Sequence, residues 1–259
     1  MRPTLLIAAA LLCGGLYRAD AAERPVVVEL FTSQSCSSCP PAEALIGRLA
    51  REPAGARGDV LPLAFHVTYW NHLDWRDRYA LPAATARQEA YADRLGGSTY
   101  TPQAVVDGQV GLVGSDEAAL RAAIARARQA GPGIPVTLAR DGEQVVAQVG
   151  AGAEGGGSAG RVLLIGYDPS HTTRVLRGEN AGRTIEQANI VRSVRDLGRW
   201  SGSAATFASA RPEGEAAALL LQSDDGRILG AARLAASPAA SPAASPAASP
   251  AGAVLEAVR

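Results

Sequence analysis

The sequence contains no lysine; all 25 of its basic residues are arginine. That absence excludes Schiff-base catalysis and a lysine-bearing phosphate loop, both of which need a primary amine. Neither sign of charge is in excess, since 25 acidic residues balance the 25 arginines. The basic surplus of a typical nucleic-acid binder is therefore missing. No apolar run approaches the ~20 residues that a bilayer span needs, and the longest, residues 5–16, has twelve. Cysteine is scarce too, with three in 259 residues, and His66, His72 and His171 show no regular ligand spacing. What remains is 47% hydrophobic and 19% charged, the balance of a globular chain with room for two modest cores.

The first 21 residues read as an export signal. Arg2 supplies a positive start, residues 5–16 the apolar stretch, and Ala19-Asp20-Ala21 a small-x-small cleavage site. A lipoprotein reading of Cys13 is disfavoured because Ala10-Leu11-Leu12 puts leucine where a small residue is expected. Cleavage after Ala21 predicts a periplasmic or secreted product. It also removes Cys13, leaving Cys36 and Cys39 in an oxidising compartment where disulfides persist.

Residues 24–131 alternate strand and helix patterns in the order βαβαββα. Residues 25–31 and 60–67 are nearly continuous apolar runs, as in strands buried on both faces. Residues 41–51, 83–95 and 116–130 have helical spacing, the last with Ser115 as N-cap. Asp107-Gly108 marks a hairpin. The fold class expected is an α/β unit followed, over residues 134–234, by a small all-β, sandwich-like unit. Its strands fall at 134–140, 144–149, 161–167, 216–222 and 227–232. Residues 235–259 carry Ala-Ala-Ser-Pro four times, and proline at every fourth position forbids helix or central strand, so they are expected to be a disordered tail.

Cys36-Ser37-Ser38-Cys39 lies between a buried strand and a helix. That spacing can bring both sulfurs to one helix N-terminus within disulfide reach, where unpaired amides and the helix dipole favour thiolate. Cys36 is then the attacking thiol and Cys39 the resolving one. A static clip and a zinc site are the competing readings; only two cysteines remain for zinc, which usually takes four ligands. The segment after the second strand, Thr68-Tyr69-Trp70-Asn71-His72-Leu73-Asp74-Trp75, leaves the sheet at the edge that carries the cysteines. Tyr69 and Trp70 either line a substrate groove or cover the core. His66, inside the strand, reads as a core histidine. Arg174, Arg177, Arg183, Arg192, Arg195 and Arg199, interleaved with Glu179, Glu186 and Asp196, read as a self-paired surface. Residues 177–183 could also fold back against the first unit.

Strand, Cys-x-x-Cys at a helix start, strand, helix, then Thr101-Pro102 before a hairpin: this order resembles the thioredoxin superfamily. More narrowly, residues 28–43, Phe65-His66-Val67 with Tyr69-Trp70, Tyr100-Thr101-Pro102-Gln103 and Arg177-Gly178-Glu179-Asn180 with Gly182-Arg183 are similar to a secreted thioredoxin-like family known as domain of unknown function 1223. The resemblance covers about residues 24–232. It implies that Pro102 is cis beside the disulfide and that Thr101 and Pro102 shape a substrate groove. Thioredoxin's buried acid would fall at Leu30, so Glu29 serves as proton acceptor for Cys39 only if the loop carries an extra residue. Ser37-Ser38 matches neither the Gly-Pro of thioredoxin nor the histidine-containing pairs of oxidising relatives, which leaves the redox direction open.

The expectation is an exported thiol–disulfide oxidoreductase without a cofactor. Its clients are protein dithiols and disulfides, with a redox partner protein and no nucleic acid. The alternatives are a copper-binding or copper-delivery protein, with Cys36, Cys39 and His72 as Cu(I) ligands, and a binding module with an inert disulfide.

Overall fold

A computed structural model describes residues 24–53, 60–153 and 159–234. The export signal and the Ala/Ser/Pro tail lie outside these residues. No helix among them is long and apolar enough to cross a membrane.

The two apolar runs form β1 (Val26–Thr32) and β2 (Val60–His66), fully buried and parallel in register from Val26↔Val60 to Thr32↔His66. Between them α1 (Pro40–Arg51) turns Leu45, Ile46 and Leu49 onto one face of the sheet, against Val28, Leu30 and Ala104. Next come α2 (Pro82–Leu95), β3 (Gln103–Val106), β4 (Val110–Val113) and α3 (Glu117–Arg128). β3 pairs antiparallel with β1 and with β4 about the expected Asp107-Gly108 turn. Gly108 takes φ +69°, and a side chain there would meet the Gly226 carbonyl. The α3 N-cap is Asp116, whose carboxylate accepts from the Ala119 amide at 2.9 Å, and not Ser115.

The second half supplies β5 (Val136–Asp141), β6 (Gln144–Val149), β7 (Gly160–Arg174), β8 (Thr184–Trp200), β9 (Ala205–Ala210), β10 (Ala216–Ser223) and β11 (Ile228–Arg233). It is strand-rich as expected, yet it does not stand apart. β8 lies parallel to β2, so one eight-stranded mixed sheet runs β11-β10-β7-β8-β2-β1-β3-β4 through both halves. The sandwich is confined to a second sheet, β5-β6-β9, stacked on part of the first. The reason is visible on β7 and β10, which are apolar on both faces. Leu163, Ile165, Ala218 and Leu220 join Val27, Phe31 and Leu61, while Val162, Leu164, Leu219 and Leu221 face Leu138, Val145 and Trp200.

Pro62 offers no amide to a neighbouring strand. Opposite it Asn189 adopts φ +49°, and its side chain donates to the Pro62 carbonyl at 2.7 Å. β7 and β8 together form a long antiparallel hairpin from Gly160↔Trp200 to Arg174↔Thr184. Its tip, residues 175–183, reaches the C-terminal ends of β1 and β2.

Candidate functional site

β1 ends at Thr32, and Ser33-Gln34-Ser35 turn the chain into the cysteines, with the Cys36 amide donating to the Ser33 carbonyl at 3.1 Å. Cys36 and Cys39 form a disulfide with Cα atoms 5.4 Å apart. Cys39 occupies the α1 N-cap position, its carbonyl accepting from the Ala42 and Glu43 amides, and Pro40 opens the helix, where a missing amide costs nothing. Both cysteines are covered, at 1% and 0% exposure, while Ser37 and Ser38 face solvent.

Two segments far apart in sequence close over this turn. From the loop after β2, the Trp75 indole donates to Gln34 Oε1 at 3.0 Å, and Ser35 Oγ donates to the Trp75 carbonyl at 2.6 Å. From the β7–β8 tip, Asn180 Nδ2 donates to the Gln34 and Cys36 carbonyls at 3.0 and 2.9 Å, and Glu179 accepts from the Ser37 amide at 3.2 Å. The Thr101-Pro102 peptide bond is cis. Trp70 Nε1 donates to Thr101 Oγ1 at 2.8 Å, joining the aromatic loop to that corner. Tyr69 donates to Gln88 Oε1 at 3.1 Å, and Tyr69 and Trp70 both rest, half-buried, against the core.

On the α1 face of the sheet lies a polar cluster that the sequence reading did not assemble. Glu43, one helical turn after Cys39, is buried and accepts from Thr32 Oγ1 at 2.8 Å, with its other oxygen unpaired. Burial pushes its carboxyl up to about 7, against the pull of nearby His66. His66 Nδ1 pairs with Asp77 at 2.6 Å, and Gln187 Nε2 stands 3.3 Å from its other nitrogen. Burial acts to depress the imidazole, but Asp77 and Glu43 outweigh it and hold His66 above its ordinary value. Burial likewise opposes charge on Asp77; His66 and the amides of Gln34 and Tyr79 prevail and lower it. Asp77 thus links the cluster to the Gln34 turn, its Oδ2 accepting the Gln34 amide at 2.8 Å.

Glu29 lies elsewhere. It shares the opposite face of β1 with Val27 and Phe31, where the Arg87 guanidinium clasps both its oxygens and Tyr91 donates to it. The acid on the α1 side is Glu43, so the loop has no extra residue that would turn Glu29 toward Cys39. His72 is exposed, its Nδ1 2.7 Å from the Tyr69 carbonyl. Cys36, Cys39 and His72 are not gathered at metal-ligating distance. Among the described residues Asp168, His171 and Glu215 are. Asp168 there already takes Arg192, His171 and the Glu215 amide, the arrangement of an ion pair.

A signal for Glu43 was present, since it falls among Ala42, Leu45, Ile46 and Leu49 on the apolar side of α1. The partners Asn180 and Gln187, 144 and 153 residues from Cys36 and Gln34, left none.

The family model described as protein of unknown function (DUF1223) matches residues 27–222. The crystal structure of protein AGR_C_4864 from Agrobacterium tumefaciens is 30% identical, with a TM-score of 0.70 over 82% of this chain and 94% of that one. HBP35 of Porphyromonas gingivalis, 14% identical, shares the fold at a TM-score of 0.59 over 92% of this chain and 82% of its own. No curated protein matches the sequence. With its matched segment running from β1 into β10, the chain belongs to the DUF1223 family of proteins of unknown function.

Proposed function

We propose that the chain is an exported thiol–disulfide oxidoreductase of thioredoxin-like architecture, with Cys36 and Cys39 as its redox pair. The observation that carries this reading is the disulfide between them at the start of α1. As a structural clip it would do little, because closing so short a loop restrains the unfolded chain by about 2 kcal/mol, against about 4.7 for a 100-residue loop. As a redox pair it sits at the positive end of the α1 dipole, which favours thiolate.

The exchange balances as follows. A client thiolate attacks Cys36 Sγ, the Cys36–Cys39 bond breaks, and Cys39 leaves as thiolate. The client's second thiolate then attacks its own sulfur in the mixed disulfide and releases Cys36. Two electrons pass to the protein pair, the client gains a disulfide, and its two protons end on Cys36 and Cys39. Glu43, buried one turn behind Cys39 and poised near neutrality, is the group we assign to exchange a proton with it. The reverse sequence, starting from the reduced pair, reduces a client disulfide.

The test is trapping. Cys39→Ser leaves an attacking thiol that cannot be resolved and should accumulate mixed disulfides with client proteins, while Cys36→Ser should trap few. Equal trapping by both variants, or by neither, counts against the mechanism.

A further inference from the structure

The β7–β8 tip is fastened to the redox turn at two successive residues. Buried Asn180 holds the Cys36 and Gln34 carbonyls, and Glu179 holds the Ser37 amide. Asn180 Oδ1 is buried without a donor, so the fastening leaves the acceptor half of that carboxamide unused. Gly178 at φ +77° and Gly182 at φ +80° flank the two fastening residues.

The outward side of the same tip is different in character. Arg174, Arg177 and Arg183 are exposed, and none makes an ion pair or side-chain hydrogen bond among the described residues. The hairpin's other arginines are engaged: Arg192 with Asp168, Arg195 with Ser209 and the Ala210 carbonyl, Arg199 with Asp224. The self-pairing expected of these six with Glu179, Glu186 and Asp196 does not form. Arg192 and Arg199 find other acids, Arg195 a hydroxyl and a carbonyl, Asp196 is taken by Arg161, and the three arginines at the tip have no acid among the described residues. Glu179 is taken by Ser37, and exposed Glu186 forms no ion pair. Between Arg174 and Arg177, Leu176 is 66% exposed, more than any other large apolar side chain described.

We infer that this tip is the recognition surface for polypeptide partners, and that it takes an acidic segment with an apolar side chain next to the partner's reactive cysteine. The inference rests on the oxidoreductase reading and names its client class. Arginine forks bind carboxylates bidentately, and exposed charges at a rim act chiefly on the association rate. One exposed leucine is too little apolar area to seat in a bilayer, and a chain of zero net charge offers no broad field to a nucleic acid. Because the arginines ride on the segment that covers Cys36, a partner bound there lies where its own backbone can compete with Glu179 for the Ser37 amide.

The experiment uses two dithiol peptides of identical cysteine spacing, one flanked by Asp, Glu and Leu, the other by Arg and Ser. Each is mixed with the oxidised protein and reduction of Cys36–Cys39 is followed. Every rate is divided by the same protein's rate with the uncharged dithiol dithiothreitol. The acidic peptide should be faster by about tenfold at low ionic strength, with the advantage fading in high salt. The doubly substituted Arg177→Glu, Arg183→Glu protein should reverse the ranking.

Equal rates for the two peptides, or an acidic preference that survives the reversal, overturns the inference. Tighter binding to phosphatidylglycerol vesicles or a DNA duplex than to the acidic peptide does so too. If neither the peptides nor dithiothreitol exchanges with the pair, the oxidoreductase reading fails instead. Titration with a cysteine-free acidic peptide then decides the surface by itself: binding weakened by the double substitution supports it, and no binding overturns it.

Discussion

Replacing Arg87 by methionine should be among the most damaging single changes to stability, though it touches neither cysteine. Glu29 has a fully buried side chain, and that of Arg87 is 9% exposed. The guanidinium clasps both Glu29 oxygens, contacts Tyr91 Oη at 2.9 Å, and reaches Gln222 Oε1 at 2.9 Å. Removing it leaves a buried carboxylate with only the Tyr91 hydroxyl. Breaking such a pair from one side costs about 3–5 kcal/mol. For a chain of this size that lowers Tm by about 6–20 °C. Urea and thermal unfolding of the oxidised protein measure it. Because the cost comes from the uncompensated charge, Glu29→Gln combined with Arg87→Met should recover much of the loss. A loss below about 1 kcal/mol for Arg87→Met, or strictly additive losses in the double variant, would refute the reasoning. Glu29→Gln should also leave the pH dependence of disulfide exchange unmoved, since Glu29 faces away from α1.

Three further outcomes are expected. Glu43 is held near 7 when folded against 4.5 as its ordinary value, so the native state binds more protons between these pH values and loses stability as pH rises. Unfolding free energy should fall by about 2–3 kcal/mol from pH 5 to pH 8, with raised His66 adding in the same direction, and Glu43→Gln should flatten much of that slope; a wild-type profile that rises over this range would contradict it. Asn180→Ala unpairs the Gln34 and Cys36 carbonyls at about 1–3 kcal/mol each at most, and should speed reduction of the disulfide by dithiothreitol; an unchanged or slower rate speaks against the covering role. Gly108→Ala forces a β-carbon against the Gly226 carbonyl at φ +69°, and should destabilise by more than the ~1 kcal/mol that a left-handed residue alone costs, as a urea midpoint shift would show.

The parts of the fold that were legible are those where one physical cause dominates. Residues 25–31 and 60–67 announced β1 and β2 because a strand buried on both faces must be apolar throughout. Asp107-Gly108 announced a hairpin because few residues accept positive φ. β8 went unseen: Asn189, Arg192, Arg195 and Gly198 interrupt its alternation, and its long outer arm is only partly covered. With β8 missing, the second half looked separate. The cysteine pair was read directly from its spacing. The buried carboxylate on the α1 face was not, because strand alternation tells which residues share a face but not which face meets α1. The Thr32↔His66 register and the inward turn of α1 decide that, in favour of Glu43 over Glu29.

The insertion of β8 beside β2 has a practical side. β2 is an interior strand with β1 on one flank and β8 on the other. A fragment ending near Gly131 would keep every residue of the Cys-x-x-Cys turn and still turn β2 into an edge. Its unpaired amides and the side chains of Leu61, Leu63 and Phe65 would then be open to any other strand, the template on which chains aggregate. Excision of the first half alone should therefore yield an aggregating product, and the second half is itself a condition for handling the disulfide in solution.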